Sequence, residues 1–205
     1  MLITEVKKKE AILPELKGRT LLIACLGCHE VSFPLKEMAA LKSELKSAGA
    51  DIIEEEVIFD YMCREDFTQK RLEMYKEKIS MADCILMFSC GVGIQTFAGL
   101  LQEKKVVSGS DTYYLPGFPG VTPLEYDCEQ CGECQMGLTF GICPVTTCSK
   151  SLLNGPCGGA KNGKCEVSKE MDCGWQKIFD KMNALKENDK VLKERIKLRD
   201  YKKQM

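Results

Sequence analysis

The chain has a single histidine, His29. Cys2His2 fingers and polyhistidine metal sites are therefore excluded. No run of about 18 apolar residues occurs, so no membrane span is expected. The first residues, MLITEVKKKEAILPELKGRTLLIAC, scatter charge along their length and lack the apolar core of a signal peptide. An excess of either charge is also missing. With 29 basic and 30 acidic residues, the net charge of -1 offers no general field for nucleic acid or an anionic membrane. A cytoplasmic protein without nucleic-acid partners is expected.

Cysteine is what the chain has in quantity, with thirteen in 205 residues. The cytosol keeps thiols reduced, so such a set points to metal binding rather than to a disulfide scaffold. Eight of the thirteen fall in one glycine-dotted stretch, CEQCGECQMGLTFGICPVTTCSKSLLNGPCGGAKNGKCEVSKEMDC. They are Cys128, Cys131, Cys134, Cys143, Cys148, Cys157, Cys165 and Cys173. Cys128, Cys131 and Cys134 form a C-x2-C-x2-C run, and Pro144 follows Cys143 directly. Three thiolates on one tight loop suit the face of an iron–sulfur cube, with a fourth, Cys143 or a later cysteine, arriving from downstream. Zinc ribbons instead bring two C-x2-C pairs from separate knuckles. A [4Fe–4S] cluster is therefore expected at the first run. The later cysteines lack a tight pair, so a second cluster or a zinc is open for Cys148, Cys157, Cys165 and Cys173.

The first half of the chain alternates strand and helix patterns. TLLIAC at 20–25 is a continuous apolar run of the kind that forms a buried parallel strand. Helical spacing follows from Pro34 until Gly49, a second strand is expected within 51–61, and helical spacing returns over 65–81. DCILMFS at 83–89 reads as a third strand, with a helix from about Ile94 to Lys104 and a short strand at 106–108. Residues 1–18 read as a lead-in helix or arm. The pattern predicts a parallel α/β sheet of flavodoxin- or Rossmann-like type over 1–108.

Such sheets gather their functional loops beyond the carboxyl ends of the strands. Cys25 and Cys28 close the first strand, Cys63 follows the second and Cys90 the third. If the first strand lies between the other two, these four converge as a separate cluster site. Cys84, inside its strand, reads as core packing. Gly91-Val92-Gly93 is too incomplete for a dinucleotide fingerprint, since Thr96 takes the third glycine position. It reads as a tight strand-to-helix turn.

Residues 109–127 read as a linker rich in Gly, Pro and aromatics. The cysteine-rich domain spans 128–175. A C-terminal helical tail follows over 176–205, with Trp175, Ile178, Phe179, Met182 and Leu185 on one face.

The phrases GICPVTTCSK, LLNGPCGG, GKCEV and DCGWQKI resemble the cysteine-rich C-terminal domain of methylenetetrahydrofolate reductases. The C-x2-C after the first strand and SCGVGIQT after the third resemble the small subunit of the two-subunit reductase of acetogenic anaerobes. That resemblance implies an iron–sulfur electron-transfer subunit carrying two or three [4Fe–4S] clusters, with zinc an option at one C-terminal four-cysteine site. It implies a flavin-containing catalytic partner that reduces 5,10-methylenetetrahydrofolate to 5-methyltetrahydrofolate, and ferredoxin or another low-potential donor. The chain is too short to hold the partner's barrel as well, and its motifs show no folate or flavin pocket. The competing expectation is a zinc-stabilised adaptor subunit without redox chemistry.

Overall fold

The computed structural model describes residues 2–26, 28, 31–53, 57–114, 128–187 and 197–204. Its elements in chain order begin with β1 (Leu2–Val6), α1 (Lys9–Ile12), β2 (Thr20–Cys25), β3 (Val31–Ser32) and α2 (Leu35–Ser47). Next come β4 (Val57–Phe59), α3 (Glu65–Met74), α4 (Lys76–Ser80), β5 (Cys84–Phe88), α5 (Gly91–Leu100), β6 (Lys105–Ser108) and β7 (Ser110–Tyr114). In the described part of the cysteine-rich half, the helices are α6 (Pro144–Thr147) and α7 (Gly174–Ala184), before a 3-10 turn at Tyr201–Gln204.

The main sheet has the order β4-β2-β5-β6, and every pair is parallel. The first apolar strand lies between the second and third, the order on which convergence of the four cysteines depends. Leu21 and Ile23 point to one face with Ile85, Met87 and Val106, where Ile94 and Phe97 of α5 cover them. Leu22 and Ala24 point to the other face with Leu86, Phe88 and Val107, under Met38, Leu41 and Leu45 of α2. Both faces are apolar because both are covered, so β2 and β5 read as unbroken apolar runs. Each buried Leu or Phe contributes roughly 1.5–3 kcal/mol. Cys84 lies on this core, fully buried, as expected for a packing residue.

Several elements depart from the sequence expectations. Residues 1–18 are not a simple arm. β1 pairs antiparallel with β7 over five residues and parallel with β3, giving a second sheet in the order β3-β1-β7. The segment expected as a linker thus begins with a strand, and its residues 115–127 lie outside the described part. The second strand is confined to Val57–Phe59, with Ile52 bridging Thr20 in isolation. The helical region over 65–81 divides into α3 and α4 at Tyr75. Helix α5 starts at Gly91, with Cys90 as its N-cap residue.

The cysteine-rich half is seated on α5. Gly141 has φ of 84°, and a Cβ there would lie 2.2 Å from Cβ of Ala98. Only glycine permits both that conformation and that approach. Phe140, Trp175, Ile178 and Met182 form a small core of their own. The amphipathic face expected for the C-terminal helix is therefore the face that builds this core.

Candidate metal centres

Twelve of the thirteen cysteines line three separate cavities, four to each. Site A collects Cys25, Cys28, Cys63 and Cys90, with Phe33 and Ser89 beside them. Parallel pairing places the carboxyl ends of β2, β4 and β5 along one edge, which brings together residues up to 65 positions apart in the chain. Burial pushes the Cys90 thiol up to about 11, and Cys25 and Cys63 add to the rise. Cys63 is raised by burial first and by Cys28 next. The hydroxyl of Ser89 is buried at the same cavity with no hydrogen-bond partner among the described residues.

Site B collects Cys128, Cys131, Cys134 and Cys143, with Pro144 in its wall. Its loop is pinned from the α/β half. Cys134 N–H donates to Oδ1 of Asp111 at 2.7 Å, and Lys7 Nζ donates to the Cys134 carbonyl at 2.5 Å. Gly132 N–H donates to the Thr112 carbonyl at 3.0 Å, and Cys143 N–H reaches Oε1 of Gln95 at 3.4 Å. Gly132 has φ of 67°, and a Cβ there would lie 2.2 Å from the Tyr113 ring. Burial raises the Cys128 thiol most, and Cys134, Cys143 and Cys90 raise it further. Burial also lifts Cys134 to about 11, against the pull of Lys7. Cys131 is raised by burial and opposed by the guanidinium of Arg199.

Site C collects Cys148, Cys157, Cys165 and Cys173. It is made of turns, held by an exchange of backbone bonds between Lys161 and Lys164 at 3.1 and 3.0 Å. Cys165 N–H donates to Met171 O at 2.9 Å, and Cys173 N–H to Gly163 O at 2.8 Å. Here thiol groups already have hydrogen-bond partners. Gly159 N–H lies 3.4 Å from Sγ of Cys157, and Ser149 Oγ lies 3.0 Å from Sγ of Cys165. The Ser149 contact is the main reason Cys165 is lowered.

The three sites adjoin in one order. Cys90 of site A precedes Gly91, and a Cβ on Gly91 would lie 2.4 Å from Sγ of Cys128 in site B. Cys143 of site B and Cys148 of site C flank the single turn α6. Site B is the middle of the row.

Three features bear on which groups these residues fit. The donors are thiols alone, which select soft metals and iron–sulfur groups. Ser89 Oγ at site A and Arg199 Nε, whose guanidinium bonds to Glu129 of the site B wall, are buried donors without hydrogen-bond partners among the described residues. Gly91 leaves the space in which Cys128 sits. Among the described residues, no group of three or more His, Cys, Asp or Glu side chains is spaced for a single metal ion. Cys25, Cys28, Cys63 and Cys90 share one cavity and Cys128, Cys131, Cys134 and Cys143 another, each offering four thiols, the donor type that iron–sulfur groups take.

Residues 107–202 match the family described as methylene-tetrahydrofolate reductase C terminal. The match covers β7, both cysteine sites B and C, and helix α7. The C-terminal likeness read from GICPVTTCSK and LLNGPCGG is thereby met by a family-level match over the same residues. No curated protein and no solved structure matches the chain. No helix among the described residues is long and apolar enough to cross a membrane.

Within this reductase C-terminal match and beside it, the sequence places the cysteines but not their supports. Asp111 falls in the segment expected as a linker, and Lys7 in the segment expected as an arm. Arg199 falls in the expected C-terminal helical tail. Each acts across 23 or more residues of chain, and no local spacing announces such a contact.

Proposed function

We propose that this chain is the electron-carrying subunit of a methylenetetrahydrofolate reductase, with [4Fe–4S] clusters at sites A and B. The observation that carries the reading is the gathering of twelve cysteines into three adjoining four-cysteine cavities. The family match over residues 107–202 supports a place in a reductase complex. Clusters at these positions would supply one-electron steps between a low-potential donor and the flavin of a catalytic partner.

What the chain's own residues contribute is position and environment. The parallel sheet fixes Cys25 at the end of β2, and Cys90 caps α5 just past β5, while Cys63 sits in the turn after β4; rigid elements hold a site more sharply than free loops do. Asp111, Thr112 and Lys7 tie the Cys128–Cys134 loop to β1 and β7. Burial first, and neighbouring cysteines after it, raise the thiols Cys90 and Cys128, so a cationic metal core would be what offsets the charge of their thiolates. Site C, built on turns rather than on the sheet, has the structural role, because a metal crosslink supplies the folding energy that so short a core lacks.

The test is rapid-mixing reduction of the flavin on a catalytic partner subunit by reduced ferredoxin. Flavin reduction is expected only with this chain present and its iron intact. Equal rates with and without the chain would move the reading to a structural adaptor.

A further inference from the structure

The C-terminal segment comes back across the molecule to site B. Lys197 exchanges two hydrogen bonds with Asn154, its N–H to Oδ1 at 2.7 Å and its carbonyl from Nδ2 at 2.8 Å. Asp200 N–H donates to Oε2 of Glu133 at 3.2 Å. Between these two anchors lies Arg199. One terminal nitrogen of its guanidinium bonds to Glu129, and the Tyr201 ring stacks 5.1 Å from the guanidinium carbon. Glu129 and Glu133 both line the site B cavity.

Arg199 is held there at a cost. Its side chain keeps 15% exposure, and Nε is buried with no hydrogen-bond partner among the described residues. A buried N–H without an acceptor is costly, so native chains pair such groups or keep them for a ligand. A sulfur-bearing group in the cavity that Glu129 and Glu133 line would be such an acceptor.

We propose that Arg199, carried in by the anchored segment 197–204, is a positioning residue that donates Nε–H toward the sulfur-bearing group of site B and sets its reduction potential upward. This rests on the reading of site B as a cluster site. Adding an electron adds negative charge, and a fixed guanidinium stabilises that charge in a desolvated place. Glu129 acts in the opposite sense, because it neutralises part of the guanidinium. Potential, not turnover, is the quantity that separates this role from simple packing.

The experiment is a redox titration of the full chain, purified without oxygen and followed by electron paramagnetic resonance. Wild type, Arg199→Met, Arg199→Lys and Glu129→Gln are compared, with iron measured on each. In Arg199→Met, one cluster is expected to become harder to reduce by at least tenfold in its equilibrium, equivalent to about 59 mV for one electron. The other signals should hold their positions. Arg199→Lys should fall between, and Glu129→Gln should shift the same signal upward. Full iron with an unmoved potential in Arg199→Met would overturn the inference. If Arg199→Met sheds its iron instead, Glu129→Gln decides, and an unmoved potential there also overturns it. Wild-type protein without iron would sink the cluster reading itself, which is a different failure.

Discussion

Gly91 and Cys128 sit so close that a Cβ on the glycine would lie 2.4 Å from the cysteine sulfur. That contact joins the first turn of α5 to the start of the cysteine-rich half. Gly91→Ala is expected to displace Cys128 and to remove one site's worth of metal, about four iron atoms. Gly99 lies in the same helix, and a Cβ added there would meet nothing within 4 Å. Gly99→Ala should keep full metal and gain roughly 0.5–1 kcal/mol from helix propensity. Iron analysis and thermal midpoints on the two variants check both outcomes.

Asp111 accepts the Cys134 N–H and lies 3.6 Å from the ammonium of Lys7. Lys7 keeps only 14% side-chain exposure. Asp111→Ala would leave a largely buried cation without this carboxylate, at a cost on the order of 2–4 kcal/mol. Denaturant midpoints should fall accordingly, and metal should be lost from site B before site A. Equal loss from both sites would show that Asp111 does not hold the Cys134 loop.

Lys181 is a buried ammonium on α7, and its Nζ donates to the Ala98 carbonyl of α5. Burial lowers it to about 8 from an ordinary 10.5. Below pH 8 both folded and unfolded chains carry the charge, so the penalty of burial is fully present. Between about 8 and 10.5 the folded chain releases the proton first, and stability rises with pH. Lys181→Met should be more stable than wild type at pH 7 by on the order of 2 kcal/mol, with the gap closing toward pH 10. Urea midpoints of both chains across that range give the difference directly. A gap that widens with pH would contradict the assignment.

The strands and the cysteines were legible in the sequence for different reasons. TLLIAC and DCILMFS are apolar on both faces because helices cover both sides, so their burial was visible in composition alone. The convergence of Cys25, Cys28, Cys63 and Cys90 depended on a strand order that the sequence left as a condition, and the order β4-β2-β5 meets it. Cys143 could not be assigned to the first run by spacing; the cavity wall that includes Pro144 puts it there. The strand Leu2–Val6 stayed hidden because its partner, Ser110–Tyr114, lies far along the chain. Its alternation is short, and Lys7, Lys8 and Lys9 beside it read as a polar arm. Arg199 stayed hidden for the same reason, since only tertiary structure brings a lysine- and glutamate-rich tail to Glu129 and Glu133.

Separate sites should also empty separately. Cys25→Ser, Cys131→Ser and Cys157→Ser each remove one member from a different cavity. Each single variant is expected to lose the metal of its own site, and the losses should add in the double variants. The Cys157 variant alone should fall in thermal stability by more than the other two, because site C has no sheet beneath it. Metal content and thermal midpoints across the series check this.

The most direct test is quantitative metal and sulfide analysis with Mössbauer spectroscopy on the full chain, isolated without oxygen. Two cube sites require about eight iron atoms and matching acid-labile sulfide per chain. The protein should be brown, with a broad band near 400 nm that bleaches on reduction, and a metal at site C should remain. A colourless protein with stoichiometric zinc and no sulfide would contradict the electron-carrying role and leave a structural adaptor.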